Sequence, residues 1–184
     1  MSFIDPVEKV EVPRPPKYYT EPSFEQVFGI PIAYRRQGNG EAVVFMHGAG
    51  FSRRWIPMYE MLAEKVDFIA PESPGFGETP MPPWFRDFSD LSIIYDQLFE
   101  QLGLDKIHLI GYSMGGWSAS EFAAYYPRQL KSLTLIVPIG LRVDDNPGVD
   151  IFQLSPEALM NRLFNDKKVM AEFMEGMDNF DEGI

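Results

Sequence analysis

The chain contains no cysteine and only two histidines among its 184 residues. Without cysteine it has no disulfide bond, no thiol nucleophile and no thiolate metal site, and we expect a reducing, cytoplasmic location. Basic residues are also scarce: the chain has 16 Lys and Arg residues and 27 Asp and Glu residues, which give a net charge of −11. We therefore expect neither nucleic acid nor a membrane as a partner, since both bind basic surfaces.

Long apolar runs are missing as well. No stretch approaches the roughly 18 apolar residues of a membrane-spanning helix, and the first residues lack the pattern of a signal peptide. Hydrophobic residues nevertheless make up 45% of the chain and aromatic residues 14%. This composition predicts a globular protein whose length suits one domain with a sizeable core.

Short apolar runs predict a series of strands, at residues 24–28, 32–36, 42–46, 67–70, 107–110 and 133–139. Helical periodicity predicts helices at residues 54–65 and 88–102, another that runs to Tyr126, and further ones after Ser155 and at 167–177. Ser89 is the predicted cap of the helix at 88–102 and Gly103 its end. The alternation predicts an α/β fold with a mostly parallel sheet and flanking helices.

The chain divides into three segments by composition. Residues 1–23 form a proline-rich arm, residues 24–140 carry the strands and helices of an α/β core, and residues 141–184 are polar and then helical. The arm is expected to lie extended over the domain or, less favourably, to bind a partner.

One stretch between a strand and a helix has the spacing of a catalytic turn. Gly111-Tyr112-Ser113-Met114-Gly115 fits G-x-S-x-G, whose glycines allow a strand and a helix to approach closely around a strained turn. Such a turn would hold the Ser113 hydroxyl at the positive end of the helix. The alternative is a serine in an ordinary glycine-rich turn.

Three motifs in order resemble the α/β-hydrolase superfamily, especially its cap-bearing serine esterase and carbon–carbon hydrolase branch. His47-Gly48-Ala49-Gly50 is similar to the family's oxyanion loop, Pro74-Gly75-Phe76-Gly77 to its P-G-x-G loop, and the Ser113 turn to its nucleophile elbow. The resemblance covers residues 24–140, and residues 141–184 look like the beginning of its helical cap.

The resemblance implies a reaction and a set of site residues. Ser113 would attack a carboxylic ester or related carbonyl group and form an acyl-enzyme, and the backbone N–H groups of Ala49 and Met114 would bind the oxyanion. No cofactor or metal is implied. The residues expected to line the site of a small apolar substrate are Gly48, Gly50, Trp84, Tyr112 and Phe152, with Phe85, Leu159 and Phe164 as further apolar candidates or as core residues.

The chain departs from the family in its acid and base. The family places both after the serine, whereas His47 and His108 precede Ser113. We expect His47 to be structural and to bond its own loop. His108 is expected to be satisfied in the core or against a helix, with a displaced base as the lesser alternative. Asp144 or Asp145 is the candidate acid, although solvated loop residues, or a weak metal group with Asp150, are alternatives.

These departures lead to an expectation about the whole protein. The family has about two further strands after the cap, so we expect an N-terminal fragment of a longer hydrolase, largely inactive alone. An open apolar sheet edge would then favour self-association or a complementing C-terminal chain. The alternative function is a non-catalytic, hydrolase-like binding module.

Overall fold

The structure is a computed structural model that describes residues 17–141, 143–145 and 148–175. A six-stranded sheet, ordered β1-β2-β4-β3-β5-β6, is its centre. The strands are β1 (Ser23–Val27), β2 (Ile30–Gln37), β3 (Ala42–Met46), β4 (Asp67–Pro71), β5 (Ile107–Tyr112) and β6 (Leu130–Ile136). Strands β4, β3, β5 and β6 pair in parallel, while β2 runs antiparallel to β1 and β4. This arrangement confirms the predicted α/β sheet.

Helices cover both faces of the sheet. The helices are α1 (Pro57–Ala63), α2 (Phe88–Gln101), α3 (Met114–Tyr125), α4 (Pro156–Leu163) and α5 (Lys167–Glu175). Val44 and Met46 of β3 belong to the core that includes residues of α2 and α3, whereas Val43 and Phe45 pack with residues of α1. Because successive side chains of a strand point to opposite faces, β3 is buried on both sides, which explains its continuous apolar run.

The last predicted strand is displaced along the chain. We expected residues 133–139, but β6 spans Leu130–Ile136. Val137 has a positive φ of 41°, and Pro138 has no N–H to donate to a ladder, so pairing ends before them. At the other end, Leu130 pairs with Ile107 across a register irregularity.

Strand β6 is the edge of the described sheet. It pairs with β5, and the described part of the chain places no strand on its other side. Leu133 and Ile136 are each 39% exposed. An exposed strand edge with apolar side chains is a surface that can pair with another chain.

Two further boundaries differ from the sequence prediction. The helix expected at residues 54–65 is shorter, because Arg54 forms an isolated antiparallel bridge with Tyr19 and α1 begins at Pro57. The first hairpin turns at Phe28 and Gly29, so β2 already begins at Ile30. Residues 1–16 of the predicted arm and residues 176–177 of the last predicted helix lie outside the described residues.

The N-cap of α2 also differs from the predicted residue. The cap is Asp87, whose Oδ1 accepts from the Ser89 N–H at 2.9 Å, while the Asp90 carboxylate accepts from the Asp87 N–H at 3.5 Å. Ser89 therefore donates to the cap instead of forming it. Gly103 follows the end of α2 with a φ of 71°, as expected for a residue that stops a helix. Ser155 caps α4, as predicted, through the Ala158 N–H.

Among the described residues, none of the helices combines the length and the apolar character that crossing a membrane requires.

Candidate active site

Ser113 occupies a strained turn between β5 and α3. Its φ of 54° and ψ of −115° are unusual for a residue with a side chain, and such a conformation costs about 1–3 kcal/mol. Two backbone bonds keep it in place: the Ser113 N–H donates to Ile136 O at 3.0 Å, and Ser113 O accepts from the Ile139 N–H at 3.1 Å. The surrounding structure therefore holds Ser113 in a conformation that it would not adopt alone.

The glycines of the motif are required by close packing. A Cβ on Gly111 would lie 2.5 Å from Gly115 O and 2.7 Å from the Ala119 Cβ. A Cβ on Gly115 would overlap the carbonyl oxygen of Met46. The first turn of α3 thus rests directly on the end of β3, which leads into residues 47–53.

We call residues 47–53 the glycine loop. Gly48 lies against the serine turn, since a Cβ there would be 2.8 Å from the Ser113 Cβ and 2.9 Å from the Tyr112 Cδ1. The Phe51 N–H donates to Gly48 O at 3.2 Å, which closes a turn around Ala49 and Gly50. The structure therefore brings Gly48, and the loop that contains Ala49 and Gly50, to the serine turn.

Met114 is the first residue of α3. The first backbone N–H groups of a helix have no acceptor within the helix and carry its positive partial charge. The first turn of α3 contains no acidic residue that would offset this charge. A polarised carbonyl oxygen near Ser113 would consequently meet a favourable field.

His47 is buried at the start of the glycine loop, with 3% of its surface exposed. Its Nε2 accepts from the Ser73 N–H at 3.0 Å, so the proton is on Nδ1, which donates to Gly48 O at 2.9 Å. The ring also contacts Phe76 edge-on, with centroids 5.5 Å apart. These contacts hold the loop and are those of a structural histidine.

His108 is neither in the core nor against a helix, so that expectation was wrong. Its side chain is 32% exposed; Nδ1 lies 2.7 Å from Ser132 Oγ and Nε2 lies 3.1 Å from Glu41 Oε2. The alternation of β5 buries residues 107, 109 and 111 and leaves His108 on the opposite, less covered face. Five residues of strand separate it from Ser113, about 16 Å, which places it beyond hydrogen-bonding reach.

The candidate acids lie in an exposed turn. Asp144 and Asp145 both have exposed side chains, as does Asp150. The hydrogen bonds described above for His47 and His108 are made to groups other than these aspartates. Within the described ranges, no group of three or more His, Asp and Glu residues has a geometry that could hold a metal ion.

The predicted apolar lining is dispersed. Trp84 packs edge-on against Phe28, at 6.3 Å between centroids, and joins the core beside β1. Strand β1 is four strand spacings, about 19 Å, from β5, so Trp84 is not brought next to Ser113. Phe85 also packs on the core, Leu159 and Phe164 are half-buried in and after α4, and the side chain of Phe152 lies outside the described residues.

Phe51 lies beside the serine turn and is not among the residues predicted from the sequence. Phe51 contacts Tyr112 in a T-shaped pair, with ring centroids 5.0 Å apart, and burial raises the pKa of Tyr112. Phe51 directly follows the His47–Gly50 motif, and this position could have indicated its place. The pair forms an apolar wall beside the serine turn.

Comparisons with known proteins agree with the observed fold. The family model for the alpha/beta hydrolase fold matches residues 41–177. The chain is 33% identical over 126 residues to 2-hydroxy-6-oxo-6-phenylhexa-2,4-dienoate hydrolase of Comamonas testosteroni, covering 60% of this chain and 41% of the relative. It is 34% identical over 123 residues to monoacylglycerol lipase ABHD6 of Mus musculus, covering 62% and 35%.

A solved structure, that of a bacterial membrane phospholipase A, aligns with a TM-score of 0.62 and 30% identity. The alignment covers 66% of this chain and 40% of that protein. The chain spans between 34% and 41% of the length of the first curated relatives that it matches.

Proposed function

Since this chain belongs to the alpha/beta hydrolase fold family, we propose that it is the N-terminal part of a serine hydrolase whose nucleophile is Ser113. The observation that carries the proposal is the packing of Gly48 against a strained Ser113 at the first turn of α3. This packing supports a partly exposed serine beside two sets of backbone N–H groups. A simple structural turn has no need of that strain.

The proposed reaction proceeds through an acyl-enzyme. Ser113 Oγ attacks the carbonyl carbon, a base takes its proton, and the N–H groups of Ala49 and Met114 bind the oxyanion that forms. The same base then returns the proton to the leaving group as the carbonyl re-forms. Water attacks the acyl-enzyme by the reverse sequence and releases Ser113.

The base is proposed to come from outside these 184 residues. His47 uses its ring nitrogens to hold the glycine loop, and His108 lies on the other end of β5. Asp144 or Asp145 follows β6 and is the proposed acid partner of that base. Within the proposed division of the chain, an arm at residues 1–23 and a core at 24–140 precede a cap that begins at residue 141.

The proposed substrate is an apolar carboxylic ester or a related carbonyl compound. The apolar pair of Phe51 and Tyr112 beside the serine turn supports an apolar acyl group. Relatives named as a dienoate hydrolase and a monoacylglycerol lipase support chemistry at a carbonyl carbon. Leu159 and Phe164 of the proposed cap are candidate contacts on the other side of the substrate.

Hydrolysis of a 4-nitrophenyl ester tests the proposal. We expect turnover by the protein isolated from its source and little or none by residues 1–184 alone, because loss of the base costs several orders of magnitude. Addition of a complementing C-terminal chain should restore turnover to residues 1–184. Source protein that shows no hydrolysis of any ester or carbon–carbon substrate would favour the alternative, a hydrolase-like binding module.

A further inference from the structure

Glu72 is a buried carboxylate directly after β4, with 1% of its surface exposed. Its Oε1 accepts from the Arg53 N–H at 2.9 Å and from Arg35 Nη1 at 2.5 Å, and its Oε2 accepts from the Glu78 N–H at 2.6 Å. Arg35 belongs to β2, Arg53 to the glycine loop and Glu78 to the connection between β4 and α2. One carboxylate therefore joins three separate segments.

Ser73, the residue after Glu72, holds the other end of the glycine loop. The Ser73 N–H donates to His47 Nε2 at 3.0 Å, and Ser73 Oγ lies 2.7 Å from the Tyr95 hydroxyl of α2. His47 begins the glycine loop and Arg53 ends it. Residues 72 and 73 thus fix both ends of the segment that contains Gly48 and Ala49.

We propose that Glu72 is a positioning residue that sets the glycine loop, and with it the Ala49 N–H, relative to Ser113. The inference rests on the proposed function, because it assigns the loop a share in oxyanion binding. Glu72 acts through the Arg53 N–H and touches no reacting atom. A displacement of about 1 Å at the oxyanion donor is enough to lower the rate substantially.

The geometry requires a carboxylate at this position. Both oxygens accept from backbone N–H groups, and the charge balances the buried Arg35 guanidinium, whose side chain is 4% exposed. A glutamine keeps one acceptor oxygen, but its amide NH₂ would face a backbone N–H and Arg35 would lose its counter-ion. Gly77 closes over the group, since a Cβ there would overlap Glu72 Oε2.

The Arg36–Asp67 pair, between β2 and β4, is a second arginine–carboxylate pair and serves as the control. The Asp67 carboxylate accepts hydrogen bonds from Arg36 Nε at 2.9 Å and from Arg36 Nη2 at 2.6 Å, and Asp67 is 9% exposed. Its hydrogen bonds to Arg36 join β2 to β4 and do not involve the glycine loop. Asp67→Asn therefore breaks an arginine–carboxylate pair, whose arginine side chain is 36% exposed and whose aspartate side chain is 12% exposed, without touching the loop.

Hydrogen–deuterium exchange of residues 1–184 tests the inference directly. In Glu72→Gln we expect the amides of residues 48–53 to exchange at least tenfold faster relative to those of β5, with this ratio unchanged in Asp67→Asn. In the turnover-competent source protein, Glu72→Gln should lower kcat at least tenfold and leave KM within about twofold. A loop that exchanges as in the unaltered protein, or that accelerates only together with β5, overturns the inference.

Two precautions keep the result decisive. If Glu72→Gln does not fold, Arg35→Met/Glu72→Gln removes the unpaired guanidinium, and the same exchange ratio is measured there. Failure of the proposed function would appear as turnover that survives Ser113→Ala. Failure of this inference would appear in the exchange ratio, which needs no turnover.

Discussion

Gly48 lies directly against Ser113, so that a Cβ added to Gly48 would come within 2.8 Å of the Cβ of Ser113. This contact joins two motifs that are far apart in the sequence, the turn after β3 and the turn after β5. Strands β3 and β5 are parallel neighbours, so their carboxyl ends meet at one edge of the sheet. The contact leaves no room for a side chain between the proposed oxyanion loop and the proposed nucleophile.

Gly48→Ala should therefore disturb both the fold and the site. The methyl group would overlap the serine turn, and overpacking of this kind costs about 1–3 kcal/mol. We expect a lower urea midpoint and slower ester turnover by the source protein. Gly148→Ala is the control, because a Cβ at Gly148 meets no atom within 4 Å. Equal stability and turnover for the two variants would contradict the packing described.

Asp87→Ala should destabilise the protein by about 1 kcal/mol, because it removes the N-cap of α2. Ser89→Ala should cost less, since the Ser89 backbone N–H that donates to Asp87 Oδ1 at 2.9 Å remains after the substitution. Urea unfolding of both variants measures the difference. A larger loss in Ser89→Ala would restore the assignment made from the sequence.

The pKa of Glu41 should depend on Lys131. A hydrogen bond from Lys131, and then one from His108, lower the pKa of Glu41 below its ordinary range. Because the folded-state pKa is depressed, the stabilising contribution is present above the ordinary pKa of a glutamate and is lost as pH falls through the folded value. Lys131→Met should raise the pKa of Glu41 in a ¹³C NMR titration. Lys106→Met should leave it unchanged, and an equal response to both variants would count against the assigned contact.

The arm should contribute to the order of the glycine loop through Tyr19. The Tyr19 hydroxyl donates to Glu78 Oε1 at 2.8 Å, and the guanidinium carbons of Arg35 and Arg53 each lie 5.5 Å from the centre of the Tyr19 ring. Tyr19→Phe should lower the free energy of unfolding by about 1 kcal/mol and raise amide exchange at residues 48–53. Tyr18→Phe is the control, because Tyr18 is 45% exposed. Exchange that rises equally in both variants would refute a role for the hydroxyl.

Much of the fold could be predicted from local pattern. The buried run of β3 and the apolar stripe of α2 each reflect burial against the core, so periodicity located them. The predicted position of β6 was displaced because this strand is an exposed edge, where burial produces little alternation of apolar and polar residues. The cap of α2 was misplaced because Asp87 and Ser89 are both favourable cap residues, and backbone geometry decides between them.

The candidate site was predictable where it depends on a motif and not where it depends on tertiary contact. The serine turn and the His47–Gly50 loop were visible as glycine spacing. The contacts of Glu72 were not, because they join β2, the glycine loop and the β4–α2 connection, which only folding brings together. The place of His108 depended likewise on its neighbours Ser132 and Glu41, which lie on other parts of the sheet surface.

The most direct test of the central claim is covalent labelling of Ser113. The source protein is treated with a fluorophosphonate ester, and the adduct is located by tandem mass spectrometry alongside ester turnover. Ser120→Ala is the matched control, since Ser120 lies in α3 and its hydroxyl donates to Gly116 O at 2.7 Å. We predict one adduct, on Ser113, that disappears together with turnover in Ser113→Ala and persists in Ser120→Ala. Turnover that survives in Ser113→Ala, or that is lost on labelling of a different residue, would contradict the account.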